Sequence, residues 1–264
     1  MDVMDYTLSE WINLLLRWAH VFAAILWIGT TYFFTWLDGA FSRRDDVWLV
    51  HSGGFYIVKK EKLVAGVAGQ VHWFRWEAAW TWITGVLLLI FVYDHGGLLV
   101  DAGSNVRPAI AAAVGFAVLA GGWMVYDAIW ESPFRTREPI AVMCCFVLLV
   151  ATAWGLTHVM SGRAAYIHVG GMIGTIMTAN VWMRILPGQR KMIAAVEAGR
   201  APDLSLAARA KLRSKHNTFM VVPVLAIMLS NHFPVATYGH TYNWLILGGL
   251  TLAGWGAAAF LRRA

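Results

Sequence analysis

WINLLLRWAHVFAAILWIGTTYFFTWL, residues 11–37, decides the fold. The stretch holds a single charged residue, Arg17. It exceeds the roughly 20 mainly apolar residues that a helix needs to cross a bilayer. No basic region precedes it, so it reads as a span rather than a cleaved signal peptide. Further runs of this kind lie near 76–93, 108–129, 140–160, 164–186, 217–233 and 243–261. The expected fold is therefore all-α: a polytopic transmembrane helix bundle of about seven spans, forming one domain over residues 1–264. Pro108 and Pro139 fall at the starts of spans, where proline is tolerated. Pro223 falls inside the sixth run and should kink it.

Composition agrees. Hydrophobic residues make up 59% of the chain and charged residues 14%, against about 25% charge in a soluble domain. The 15 Trp suit membrane interfaces and can also wall a flat cofactor. A net charge of +6 could suggest nucleic acid, but the basic residues fall where a membrane topology puts them, so no nucleic-acid partner is expected. The only cysteines are Cys144 and Cys145, adjacent and inside an apolar run. They make neither a CxxC pattern nor a CxxCH haem attachment, which excludes a disulfide framework, a zinc site and a c-type haem.

The basic residues alternate by loop. The first loop carries Arg43, Arg44, Lys59, Lys60, Lys62 and Arg75, and the third Arg135 and Arg137. The fifth carries Arg190, Lys191, Arg200, Arg209, Lys211, Arg213 and Lys215, and the tail Arg262 and Arg263. The second loop has only Arg107, the fourth only Arg163 and the sixth none. Lys and Arg collect on the cytoplasmic side. The odd loops and the C-terminus are therefore expected inside. The N-terminus, with Asp2, Asp5 and Glu10, is expected outside. The stretch MIAAVEAGRAPDLSLAARAKLR in the fifth loop is amphipathic and is expected to form short helices at the inner surface; a solvated connector is the plainer reading.

Polar residues inside the spans carry the chemistry. At about 1.5 Å per residue, His20 lies some three turns below the outer surface, with Arg17 one turn above it. His158 ends the fourth span, His168 lies one turn into the fifth, and His232 ends the sixth. Four histidines on four helices thus collect in the outer half. Neutral imidazoles on facing helices are the usual axial ligands of haem b, and an arginine can pair with a propionate. His20, His168, His158, His232 and Arg17 are the candidate cofactor residues; His20 and His168, the deepest, are the candidate iron ligands. A histidine that merely bonds one helix to another is the competing reading of each. The face of His168 continues through Gly171, Thr175 and Thr178, small residues that let a helix or a flat ring approach.

A second polar group faces inward. His72, Arg75 and Glu77 open the second span in VHWFRWEAAWTW; Asn180 and Arg184 close the fifth; His216 and Asn217 open the sixth. Glu77 needs a partner, and Arg75 or Arg184 could serve. His72, Arg75 and Glu77 are the candidate catalytic residues, with snorkelling interfacial charge as the alternative. Asp127 reads as interfacial. Asn231, His240, Tyr242 and Asn243 are expected outside, lining an outer entrance or capping helices. VAGVAG and GGMIG have no preceding strand, so no phosphate cradle is encoded. GFAVLAGG and GGMIG read as packing glycines.

The strings HSGGFY, VHWFRWEAAWTWITG, ANVWMRILPGQRKMIAAVEAGRAPD, SKHNTF and SNHFP–TYGHTYNWL, taken in order, resemble the N-terminal membrane domain of the cytochrome c-linked bacterial urate oxidases (urate hydroxylases). The resemblance runs from the first span to near residue 250. It implies oxidation of urate to 5-hydroxyisourate in the bacterial inner membrane, with electrons leaving to a cytochrome c. RWAHVFAAILWIG also resembles the opening helix of other small membrane haem proteins, where the histidine position is a haem ligand; here that position is His20. The family pattern continues into an eighth span and a cytochrome c domain, whereas this chain ends at Arg262-Arg263-Ala264 without CxxCH. Either the chain is a truncation, or the cytochrome is a separate protein docking on the outer face. The first loop reads KLVAGVAGQ where a more proline-rich stretch is expected. Arg17, Trp73, Arg75 and Trp76 have the chemistry to hold urate, a flat anion, on a face left open by the sequence. The competing functions are a carrier or channel for a small anion or protons, and a haem-bearing electron-transfer subunit without catalysis.

Overall fold

A computed structural model describes residues 3–61, 63–66 and 68–263. Asp2, Lys62 and Ala264 lie outside the described residues. Among the described residues, six helical segments are long and apolar enough to cross a membrane: Tyr6–Ala40, Trp76–His95, Pro108–Glu131, Glu138–Leu156, Gly162–Glu197 and Asn243–Leu261. They belong to α1 (Val3–Ala40), α2 (Trp76–Leu88), α3 (Pro108–Glu131), α4 (Glu138–Leu156), α5 (Gly162–Ala179) with α6 (Leu186–Glu197), and α8 (Asn243–Leu261). The remaining long helix, α7 (Leu204–Leu229), contains the sixth expected run but starts well before it. Arg213, Lys215, His216 and Asn217 interrupt its apolar face, so its apolar length is shorter than that of the others.

Local sequence sets these boundaries. Pro108 and Pro139 occupy the first turns of α3 and α4, where the missing N–H costs nothing. Asp203 caps α7 by accepting from the Ser205 amide at 2.8 Å, and hydrogen bonds from the Ser205 hydroxyl and then its amide hold the Asp203 carboxyl below the usual carboxylate range. Pro223 lies within α7. Two π-helical turns interrupt the α-helices, at Leu89–His95 after α2 and at Asn180–Ile185 between α5 and α6. Such turns concentrate at functional sites.

The first loop adds a feature that helical periodicity does not announce. Strands β1 (Asp46–His51) and β2 (Gly54–Lys59) form an antiparallel hairpin pairing Val47 with Val58 and Trp48 with Ile57. Val47 packs with Leu37 and Ala40 at the end of α1.

The helix α5 runs through the middle, packing on α2, α3, α4 and α7. Nearly all its residues from Ala164 to Ile173 are buried. The helix α1 sits at the edge, packed mainly on α2, with Trp18, Phe22 and Ile25 all more than half exposed. In water that face would be costly; against lipid it is matched.

Contacts sort the loops into two ends. Lys60 of the first loop and Lys211 of the fifth both pair with Asp38. The Gly66 amide donates to Glu197 at the end of α6 at 2.9 Å, and Lys215 pairs with Glu138 after the third loop. The odd loops therefore share one end. At the other end, the Ser161 hydroxyl donates to the Leu98 carbonyl at 2.8 Å, which ties the fourth loop to the second. Asn243 donates to the Tyr238 carbonyl at 3.0 Å within the sixth loop. This is the two-sided arrangement the basic residues imply. The expected surface helices of the fifth loop are α6 and the first half of α7, which pack on each other.

Candidate functional site

His168 is the best-placed imidazole. It is 5% exposed, and its Nδ1 sits 2.8 Å from the Ala164 carbonyl oxygen one turn back. A carbonyl only accepts, so Nδ1 carries the proton and the Nε2 lone pair is left free. A metal-binding histidine is oriented by that kind of outer bond. The ring lies against Gly115 of α3, where an added Cβ would come within 2.7 Å of Nε2 and Cδ2. Glycine is what lets the imidazole reach this position. Tyr93, in the π-helical turn after α2, meets the ring edge-on at 6.1 Å.

His20 repeats the pattern from the other side of α2. Its Nδ1 lies 2.9 Å from the Thr81 carbonyl oxygen and 3.1 Å from the Thr84 hydroxyl, which again frees Nε2. Its ring presses on Gly85, where an added Cβ would lie 3.0 Å from Cε1. Among the described residues no hydrogen bond or ring contact joins His20 to His168. α1 packs on α2, and α2 packs on α5, so each histidine offers its nitrogen from its own side of α2. The small face after His168 is filled by α2. Thr175 accepts from the Trp82 indole at 3.0 Å, Thr178 donates to the Ala78 carbonyl at 3.4 Å, and Gly171 faces Leu89.

The other outer candidates are more open. His158 is exposed, with Nδ1 2.8 Å from the Trp154 carbonyl oxygen. His232 is exposed in a short 3-10 turn after α7. Arg17 bonds to Asn13 of its own helix at 2.7 Å. Haem iron brings four nitrogens of its own and asks the protein for neutral imidazoles. His168 and His20 fit that demand as donors. Among the described residues there is no group of three or more His, Cys, Asp or Glu able to hold an ion by itself.

At the basic end, His72 stacks edge-on against Phe74 at 4.6 Å. The Arg75 guanidinium lies 5.7 Å from the Trp76 ring and 5.9 Å from that of Trp182. Arg75 Nε and Trp182 Nε1 are buried without an acceptor. Glu77 sits in the first turn of α2 and forms no ion pair among the described residues. Arg184 turns instead to Asp127, with Nε 2.9 Å from Oδ1 and a second contact to the other oxygen.

That contact opens a network which sequence reading missed. Arg213, 2% exposed, donates at 2.8 Å to both Asp127 and Glu131 of α3. Asn180 donates to Tyr126 at 3.1 Å and to Asn217 at 2.9 Å. Tyr126 lies 2.7 Å from His216 Nδ1. The signal was present as spacing: Asp127 and Glu131 on α3, and Arg209 and Arg213 on α7, each four apart on one helix face.

Two cavities lie among these elements. One, of about 320 Å³, is apolar and is lined by Tyr126, Cys145, Met172 and Thr251. The other, of about 840 Å³, opens at the end away from the basic loops and is lined by His158, Arg163, His240 and Asn243.

Searches of curated proteins and of solved structures returned no match. The urate oxidase N-terminal family matches residues 6–263. The chain belongs to the urate oxidase N-terminal family.

Proposed function

We propose that this chain is the membrane part of a urate-oxidising system in a bacterial inner membrane, and that it passes electrons through haem b to a cytochrome c on the outer side. Urate takes up the oxygen of one water at C5 to give 5-hydroxyisourate; two protons and two electrons leave, and two cytochrome c molecules each accept one electron. Membership of the urate oxidase N-terminal family supports urate as the substrate. The structural observation that carries the redox part is His168: buried, oriented through Nδ1 by Ala164, and free at Nε2.

Haem held by His168, His20 or both would supply one-electron chemistry between a two-electron donor and a one-electron acceptor. The chain's own residues do the rest. Ala164 and Thr81 fix the tautomers of the two histidines. Gly115 and Gly85 clear the space in which their rings stand. Tyr93 closes the approach to His168 from the π-helical turn.

Membranes carrying the chain, supplied with oxidised cytochrome c, test this reading. Urate should drive cytochrome c reduction at two equivalents per urate consumed, with 5-hydroxyisourate as the product detected. Uptake of labelled urate with no redox change would instead make the protein a carrier. A haem signal without urate turnover would make it an electron-transfer subunit.

A further inference from the structure

We infer that urate binds in the cavity of about 840 Å³ at the end opposite the basic loops, against Arg163 and Asn243; the inference rests on the urate reading above. The volume falls within the roughly 300–1,000 Å³ of small-molecule sites. The starts of two helices meet there, α5 at Gly162 and α8 at Asn243, both among the lining residues. The Tyr166 hydroxyl donates to the Asn243 carbonyl at 2.6 Å and locks the two helices together.

The polar groups left over at this site suit a planar anion that both donates and accepts. Asn243 is 9% exposed. Its Nδ2 donates to the Tyr238 carbonyl at 3.0 Å, which fixes the amide's orientation, and its Oδ1 is buried with no donor. An acceptor so placed is costly unless a ligand N–H meets it. Arg163 has no carboxylate partner among the described residues. It is held by Asn231, at 3.1 Å from Nε, and its remaining guanidinium nitrogens suit an anionic purine oxygen. Trp154 and Trp244 supply flat faces, and His158 and His240 further polar edges. Asp101 also lines the space and can accept from a purine N–H.

The position connects to the redox histidine. Arg163 lies 5.9 Å from the Tyr93 ring centre, and Tyr93 contacts His168 edge-on. Met160, on the cavity wall, reaches the same Gly115 that seats His168. Two side chains, Arg163 and Tyr93, therefore link the purine site to the imidazole. The rival group, Arg75 with its indoles, already has its guanidinium between two rings and lines neither of the two cavities described above.

The test is equilibrium binding of radiolabelled urate to the whole chain in lipid nanodiscs. Arg163→Gln should weaken binding at least tenfold while unfolding near the wild-type temperature, and Asn243→Leu should weaken it by as much with a lower unfolding temperature, since it also loses the bond to Tyr238. A second measurement needs no variant. Diethylpyrocarbonate modification, mapped by mass spectrometry, should show urate shielding His158 and His240 and leaving His72 as reactive as before. Shielding of His72 in place of the cavity histidines would overturn the assignment and put the purine at the basic end. So would an Arg75→Gln variant that loses more affinity than the cavity variants. A wild-type chain that binds no urate would overturn the urate reading itself, and the cavity assignment with it.

Discussion

Two glycines carry as much of the candidate site as the histidines they face. Gly115 is required because the His168 ring occupies the place a side chain would take. In Gly115→Ala the imidazole must turn away or α3 must move, and either breaks the bond to Ala164 or strains it. Overpacking of this kind costs about 1–3 kcal/mol. The variant should unfold at a lower temperature and hold less haem per chain; wild-type values for both would mean that His168 has slack. His168→Ala and His20→Ala should each lower or alter the haem signal, and His232→Ala, with an exposed ring, should leave it intact. A His20→Ala protein with full haem and an unchanged spectrum would remove His20 as a ligand. The histidines were legible in the sequence because ionisable groups in spans stand out. Their orientation was not, because hydrogen bonds to Ala164 and Thr81 carbonyls depend on backbone atoms that every residue possesses.

Between elements, polar groups hold together what apolar packing alone would leave loosely specified. Arg213 joins α7 to Asp127 and Glu131 of α3, and Asn180 joins the π-helical turn to both. Removing one partner of a fully buried ion pair costs about 3–5 kcal/mol, and less is expected here because Asp127 keeps Arg184 and Glu131 keeps Arg209. Arg213→Ala should therefore lower the unfolding temperature, and Tyr126→Phe, which removes the partner of both Asn180 and His216, should cost about 1–3 kcal/mol. Equal thermal unfolding of Arg213→Ala and wild type would show that the network is solvated. The helices themselves were legible from apolar runs, and the seventh, 243–261, coincides with α8 (Asn243–Leu261). The continuity of α7 was not, because its amphipathic first half, LSLAARAKLR, reads as a separate short helix ahead of the apolar run from 217. The hairpin was missed because DVWLVH and GFYIVK lack the strict apolar alternation of a half-buried strand, although Ser52-Gly53 between them is a hairpin-turn signal.

Across the whole molecule, the basic residues and the contacts agree on two ends. If the basic end is cytoplasmic, an impermeant maleimide should label Ser104→Cys in intact cells and Arg44→Cys only after permeabilisation, in a chain whose Cys144 and Cys145 are replaced by serine. The reverse pattern would invert the protein and put the cavity of Arg163 and Asn243 on the cytoplasmic side. The helix α2 spans the distance between the two ends. Arg75 stands at its start, His20 bonds to Thr81 and Thr84 along it, and Tyr93, in the π-helical turn that follows, faces His168. The proposed electron transfer requires a chromophore, so the most direct measurement is the absorbance spectrum of the purified chain, reduced minus oxidised, first with dithionite and then with urate under anaerobic conditions. Urate oxidation through this domain predicts a b-type haem difference spectrum with dithionite and growth of the same bands with urate. A folded chain with no chromophore and no metal would contradict it, and the redox chemistry would have to reside in another protein.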